Sequence, residues 1–230
     1  MSNQKIINYV KNRNLNEYRF GNLTLIVKDA PEEDIDLSKI FNRIINTLPD
    51  HFLNMVEIAY IGDFDFLNQR QTNAMYSDGA IYISNDQDDD EDLEDDIVHE
   101  IAHAVEEKYG YEIYGDDKIK NEFLLKRRKL KEILNNHNYD IEQYDFFDIE
   151  YNTEFDHLLH KTIGYDALRI MTVDFFLAPY SITSLREYFA RGVEEYYLGE
   201  KQYLRELCPY IYEKIYLLER IEEGERDYEF

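Results

Sequence analysis

Tryptophan is absent from this 230-residue chain, and cysteine occurs once, at Cys208. The missing tryptophan carries no structural inference, but a single thiol excludes any intramolecular disulfide and is compatible with a reducing compartment. Cations are scarce, with 25 Lys and Arg against 49 Asp and Glu, a formal net charge of −24. That balance excludes nucleic acid as the main partner, because phosphate contacts need clustered cations. The acidic surface also repels anionic membranes and favours basic partners, mainly through association rate. No apolar run is long enough for a signal peptide or a membrane span, including the stretch after Met1-Ser2-Asn3-Gln4-Lys5. Cytoplasmic residence is the expectation, with export by a route that uses no cleaved signal left open. Repeats, low-complexity tracts and linkers are missing too. The chain is 44% hydrophobic, enough for a substantial core despite 32% charged residues, and a single domain over 1–230 is expected.

Hydrophobic periodicity lays out an α+β beginning. A weak amphipathic pattern at 5–12 suggests a short helix. Asn22–Lys28, Met55–Ile61 and Ala80–Ser84 read as strands, the last after the turn signal Ser77-Asp78-Gly79. Between the first two, Asp36 or Ser38 caps a helix to Leu48 with Ile40, Phe41, Ile44 and Ile45 on its apolar stripe. The acidic run Asp86–Asp96 alternates carboxylates as a calcium loop does, but lacks the central glycine and closing glutamate. It reads as a solvated loop leading into a helix N-terminus, where carboxylates suit the macrodipole.

What the chain does contain is His99-Glu100-Ile101-Ala102-His103, inside a helix expected from about Glu91 to Lys108 with Gly110 at its end. Histidines four apart stack on one helix face, so both imidazoles can bind one zinc ion, with Glu100 turned toward the attacking water as general base. Ile97, Val98, Ile101, Ala102 and Val105 surround the pair with apolar side chains, which keeps the imidazoles neutral and competent to ligate.

Catalytic zinc takes three protein ligands. The metzincin continuation is excluded, because Glu106 and Tyr109 stand where glycine and a third histidine would follow. Two glutamates remain. Glu122, in Asn121-Glu122, resembles the thermolysin-type second motif but has Lys126 where an aspartate is expected; Glu187 lies further on, in Glu187-Tyr188-Phe189-Ala190. Residues 116–134 form a helix carrying seven cations, read as balancing the chain's own carboxylates. Residues 136–160 read as a loop-rich insertion whose His137, His157 and His160 show no ligand spacing. Further helices are expected over 164–177, after Ser184 with Glu187 in capping-box position, and over 209–221.

His99-Glu100-Ile101-Ala102-His103, Tyr180 and Glu187-Tyr188-Phe189-Ala190 together resemble the catalytic domain of anthrax lethal factor and its relatives, including the small bacterial Pro-Pro endopeptidases. The likeness covers residues 55–108 and 178–220, the latter including the helix after Cys208-Pro209 with Tyr210 and Tyr212. It implies a zincin-like α+β fold: a small mixed sheet whose edge strand packs on the motif helix, and a mostly helical C-terminal half. It also implies zinc ligands His99, His103 and Glu187, with Tyr180, seven residues before Glu187, helping to stabilise the oxyanion. The apolar neighbours of Glu187 favour it over Glu122, which sits among lysines and arginines. The parts would be about 1–110 with the motif helix, a helical insertion over 111–165 that lengthens the interval between ligands, and 166–230 with the third ligand. Arg191 departs from the family, which often has an acidic residue there; Glu194 or Glu195 is the expected substitute.

The activity expected is that of a zinc-dependent endopeptidase, a gluzincin, acting on peptide or protein substrates. Segments 73–76 and 80–84 would then present an edge strand to an extended substrate, or form an ordinary hairpin. The alternative class is a non-catalytic zinc-binding or toxin- or phage-associated interaction protein on a degenerate peptidase fold. Retention of Glu100 argues against it, since a dead site has no physical need for that carboxylate.

Overall fold

The computed structural model describes residues 16–31 and 35–221; the helix expected at 5–12 lies outside them. Two compact units divide the chain, Met1–Ala104 and Val105–Phe230. No helix among the described residues is long and apolar enough to cross a membrane.

The first unit is built on a five-stranded mixed sheet of order β1-β2-β3-β5-β4. Strands β1 (Asn16–Phe20) and β2 (Leu23–Val27) pair antiparallel across a tight turn in which Gly21 has φ +60°, the hairpin geometry glycine allows. Strand β1 is not marked in the sequence, because Asn16-Glu17-Tyr18-Arg19-Phe20 carries no β-branched residue and only two apolar side chains. In β2, buried Leu23, Leu25 and Val27 alternate with half-buried Thr24 and Ile26. Helix α1 (Leu37–Thr47) starts where the Asp36 side chain accepts from Lys39 N at 3.0 Å, and it buries Ile40, Phe41 and Ile44. After the short α2 (Asp50–Leu53), β3 (Ile58–Gly62) begins three residues later than the apolar run suggests. The amides of Met55 and Val56 instead close the turn onto Phe52 O and Leu53 O, at 3.2 and 3.1 Å. Strand β3 lies parallel to β2 and to β5 (Ala80–Ser84).

Helix α3 (Asp65–Arg70) leads to β4 (Ala74–Ser77), which pairs antiparallel with β5 through the Asp78-Gly79 turn and stands at the sheet edge. Asp78 and Gly79 both have positive φ, as a two-residue hairpin of this kind requires. Leu25, Ala59, Ile61, Ile81 and Ile83 are fully buried, whereas Tyr60 and Tyr82 stack at 5.2 Å on half-buried strand positions.

The second unit is helical. Helix α5 (Lys118–Asn136) is followed by an irregular stretch, then α6 (Thr153–His157), a π-helical turn (Leu158–Ile163) and α7 (Tyr165–Thr172). A 3-10 turn (Tyr180–Ile182) precedes α8 (Leu185–Tyr197), α9 (Lys201–Leu207) and α10 (Pro209–Leu218). The segment read as a loop-rich insertion thus closes on a helix capped by Asn152, whose side chain accepts from Glu154 N and Phe155 N. Helix α9 also escaped the sequence pattern, because Leu204 is its one buried residue. Helix α5 is less solvated than its charge implies. Lys118 pairs with Glu213 at 2.8 Å, and Lys126 and Arg127 turn inward.

Arg127 is the organising buried group of this unit. Its guanidinium lies between the rings of Phe123 and Phe155, 4.6 and 4.4 Å from their centres. It donates to Ile182 O at 2.8 and 2.6 Å, to Thr183 O at 2.7 Å, and to Asp148 O. One side chain therefore ties α5 to the chain before α6 and to the turn that leads into α8. Burial lowers its pKa to about 10, leaving it cationic at neutral pH.

Candidate metal centre

The motif lies on α4 (Asp90–Tyr114). Asp89 Oδ1 starts this helix by accepting from Glu91 N and Asp92 N, both at 2.9 Å, so the acidic run serves as cap and first turn. Lys39 pairs with Asp90 at 2.9 Å and Arg43 with Glu94 at 3.1 Å. Tyr109 leaves helical geometry (φ −109°, ψ 22°), so the motif helix breaks where the sequence marks its end, around Gly110, and a second short helical stretch follows to Tyr114. Leu93, Ile97, Val98, Ile101, Ala102 and Val105 are fully buried and set the helix orientation.

His99 and His103 stand one turn apart, ring centres 4.8 Å from each other and nearly perpendicular. Glu100 Oε2 accepts from the backbone N–H of Tyr76 at 2.5 Å. Since β4 pairs with β5 on its other side, this amide belongs to the free edge of the sheet. The edge strand and the motif helix are thus joined at the carboxylate proposed as base. One turn before His99, Asp96 accepts from Gln87 Nε2 at 3.2 Å, and burial raises its carboxyl to a pKa of about 7.

Glu187 sits in the first turn of α8, where Ser184 Oγ accepts from Glu187 N at 3.2 Å. The capping box expected from the sequence is present in its serine half. Tyr180 lies in the 3-10 turn that packs on α8. Its hydroxyl is pushed well above the ordinary range by burial and then by the Glu187 carboxylate, so it remains a proton donor at neutral pH.

His99, His103 and Glu187 each present one ligand atom, and these atoms lie within 4.8 Å of one another. Among the described residues this is the one group of three or more His, Cys, Asp or Glu so placed. Two imidazoles and a carboxylate match the donor set of His2Glu catalytic zinc. Glu122 has a different task. Its carboxylate accepts from Tyr188 OH at 2.6 Å and from Tyr210 N at 3.3 Å, with Lys126 at 3.8 Å, inside the second unit. Arg191 pairs with Glu194 and with Glu195, the two carboxylates expected in place of an acidic residue at its position, on its own helix. Glu106, where a metzincin would carry glycine, accepts from Arg186 Nε at 2.7 Å and Tyr114 OH at 2.6 Å.

Comparison with family models, with curated proteins and with solved structures finds no match. The reading of the site therefore rests on its own residues. Sequence inspection missed the Tyr76 amide, because backbone donors leave no composition signal. It also missed Asp96, although its position one turn before His99 is a usable sign.

Proposed function

We propose that the protein is a zinc-dependent endopeptidase of the gluzincin type, resembling the lethal factor group. The observation that carries this is the convergence of His99, His103 and Glu187 beside a glutamate, Glu100, that the same helix turn supplies. His99, His103 and Glu187 would hold a zinc ion, which would supply Lewis acidity and activate water near neutral pH.

The chain's own groups carry the remaining steps. Glu100 takes a proton from the attacking water and later passes it to the departing amine. Its hydrogen bond from the Tyr76 amide holds the carboxylate in one orientation. Tyr180, kept protonated by burial and by Glu187, donates to the carbonyl oxygen as negative charge develops there. The free edge of β4 offers main-chain groups to an extended peptide, which fixes the scissile bond in register. The net charge of −24 favours approach by basic or neutral peptides over acidic ones.

The test is Glu100→Gln. Zinc content, read by elemental analysis, should equal that of the unaltered protein, while hydrolysis of a diverse peptide library disappears. Retained, chelator-insensitive hydrolysis would overturn the proposal.

A further inference from the structure

Beside Glu187 the second unit carries a cluster that the proposed chemistry does not use. Tyr151 OH donates to Asp156 Oδ2 at 2.9 Å, and Tyr165 OH lies 3.3 Å from Asp156 Oδ1. The ring of His160 stacks on Tyr165 with centres 4.9 Å apart. Backbone links place the cluster near the third ligand. Leu185 N donates to Ile149 O at 2.9 Å, which ties the segment leading into Tyr151 to the first turn of α8, where Glu187 stands. Arg127 fastens Asp148 O to the carbonyls that follow Tyr180.

The cluster is built for positive charge. Asp156 makes no ion pair with any described residue; two hydroxyl donors and its place in the first turn of α6 are what face its charge, and no cation of the second unit pairs with it. A carboxylate has about four acceptor positions, and the two hydroxyls fill two, leaving room for a forked donor. Tyrosine faces attract a guanidinium or ammonium group, and Tyr151 is 51% exposed. Burial first, and then chiefly the carboxylates of Asp156 and Glu187, push the hydroxyls of Tyr151, Tyr165 and Tyr180 toward staying protonated.

We infer that Tyr151, Asp156 and Tyr165 form a subsite that binds a cationic side chain, arginine or lysine, of the peptide substrate. Its role as a substrate subsite rests on the peptidase reading; its affinity for a cation does not. A neutral or acidic side chain would leave the Asp156 charge uncompensated, so selection comes from charge as well as shape.

The experiment has a binding arm and a cleavage arm. In the first, Nα-acetyl-arginine amide and its citrulline counterpart, alike in shape but not in charge, are titrated into zinc-loaded Glu100→Gln protein and followed by NMR. The arginine probe should bind about tenfold more tightly, the worth of one charge-assisted pair. Asp156→Asn should remove that advantage, while Asp166→Asn, the same charge change at an exposed position, should keep it. Equal affinity for the two probes, or an advantage that survives Asp156→Asn, overturns the subsite. If Asp156→Asn does not fold, the probe comparison on the unsubstituted cluster decides alone. In the second arm, cleavage of a diverse library should show a basic residue enriched at one fixed distance from the cut. Cleavage without that enrichment sinks the subsite and leaves the peptidase standing. An arginine advantage lost in Asp156→Asn, with no cleavage of any peptide, does the reverse.

Discussion

Single side chains carry the sharpest expectations. Burial and then the Glu187 carboxylate hold the Tyr180 hydroxyl protonated. Tyr180→Phe should therefore lower kcat by about 10²–10³-fold with little change in KM, the loss expected of one oxyanion donor. Steady-state kinetics on a cleaved library peptide would measure it. Asp96 gives a pH signature. Its carboxyl titrates ordinarily at 3.8 and, when buried, at about 7. Between those values the native state keeps a proton that the unfolded chain has released, so stability falls as pH rises through this window. In metal-free protein, Asp96→Asn should remove that decline. The variant should match the unaltered chain near pH 4 and exceed it near pH 8, as urea titrations would show.

At the scale of elements, Arg127 sets the geometry of the second unit. Ile182 O, Thr183 O and Asp148 O all depend on one fork of donors. Arg127→Met should strand these buried acceptors and lower stability by on the order of 3 kcal/mol. Lysine should rescue little, since a compact ammonium cannot reach three carbonyls in a plane. Denaturant midpoints would measure both variants. The sequence made α1, β2, β5 and the start of α8 legible, because each has its own cap or apolar alternation: Asp36, Leu23-Leu25-Val27, Ile81-Ile83 and Ser184. It hid β1 and α9, whose side chains are mostly exposed, but it marked the break in the motif helix, where Tyr109 departs from helical geometry just before Gly110.

For the molecule as a whole, metal binding and folding should be coupled, since Glu187 is distant in sequence from His99 and His103 and an unfolded chain does not hold the three together. Free zinc at one hundred times its Kd should stabilise the protein by about 2.7 kcal/mol, and a chelator should reverse this. Glu187→Ala should abolish the zinc-dependent rise in Tm. Glu122→Ala should start from a lower Tm, having broken the contacts to Tyr188 and Tyr210, yet keep the rise. Calorimetry with and without zinc would separate the two glutamates.

The His99–His103 pair, the base between them and the helix that presents them were readable from the chain, because a helix turn is a local object and four-residue spacing suffices to build it. The choice between Glu122 and Glu187 was of another kind. Both are glutamates on helices, and local pattern could weigh them only by their neighbours. Tertiary structure decided which one spends its carboxylate on buried tyrosine and backbone donors and which one meets the histidines. Asp156 with Tyr151 and Tyr165 is a similar case: the three lie within fifteen residues, but the sequence does not show that both hydroxyls reach one carboxylate, which the turn into α6 and the π-helical turn after it bring about.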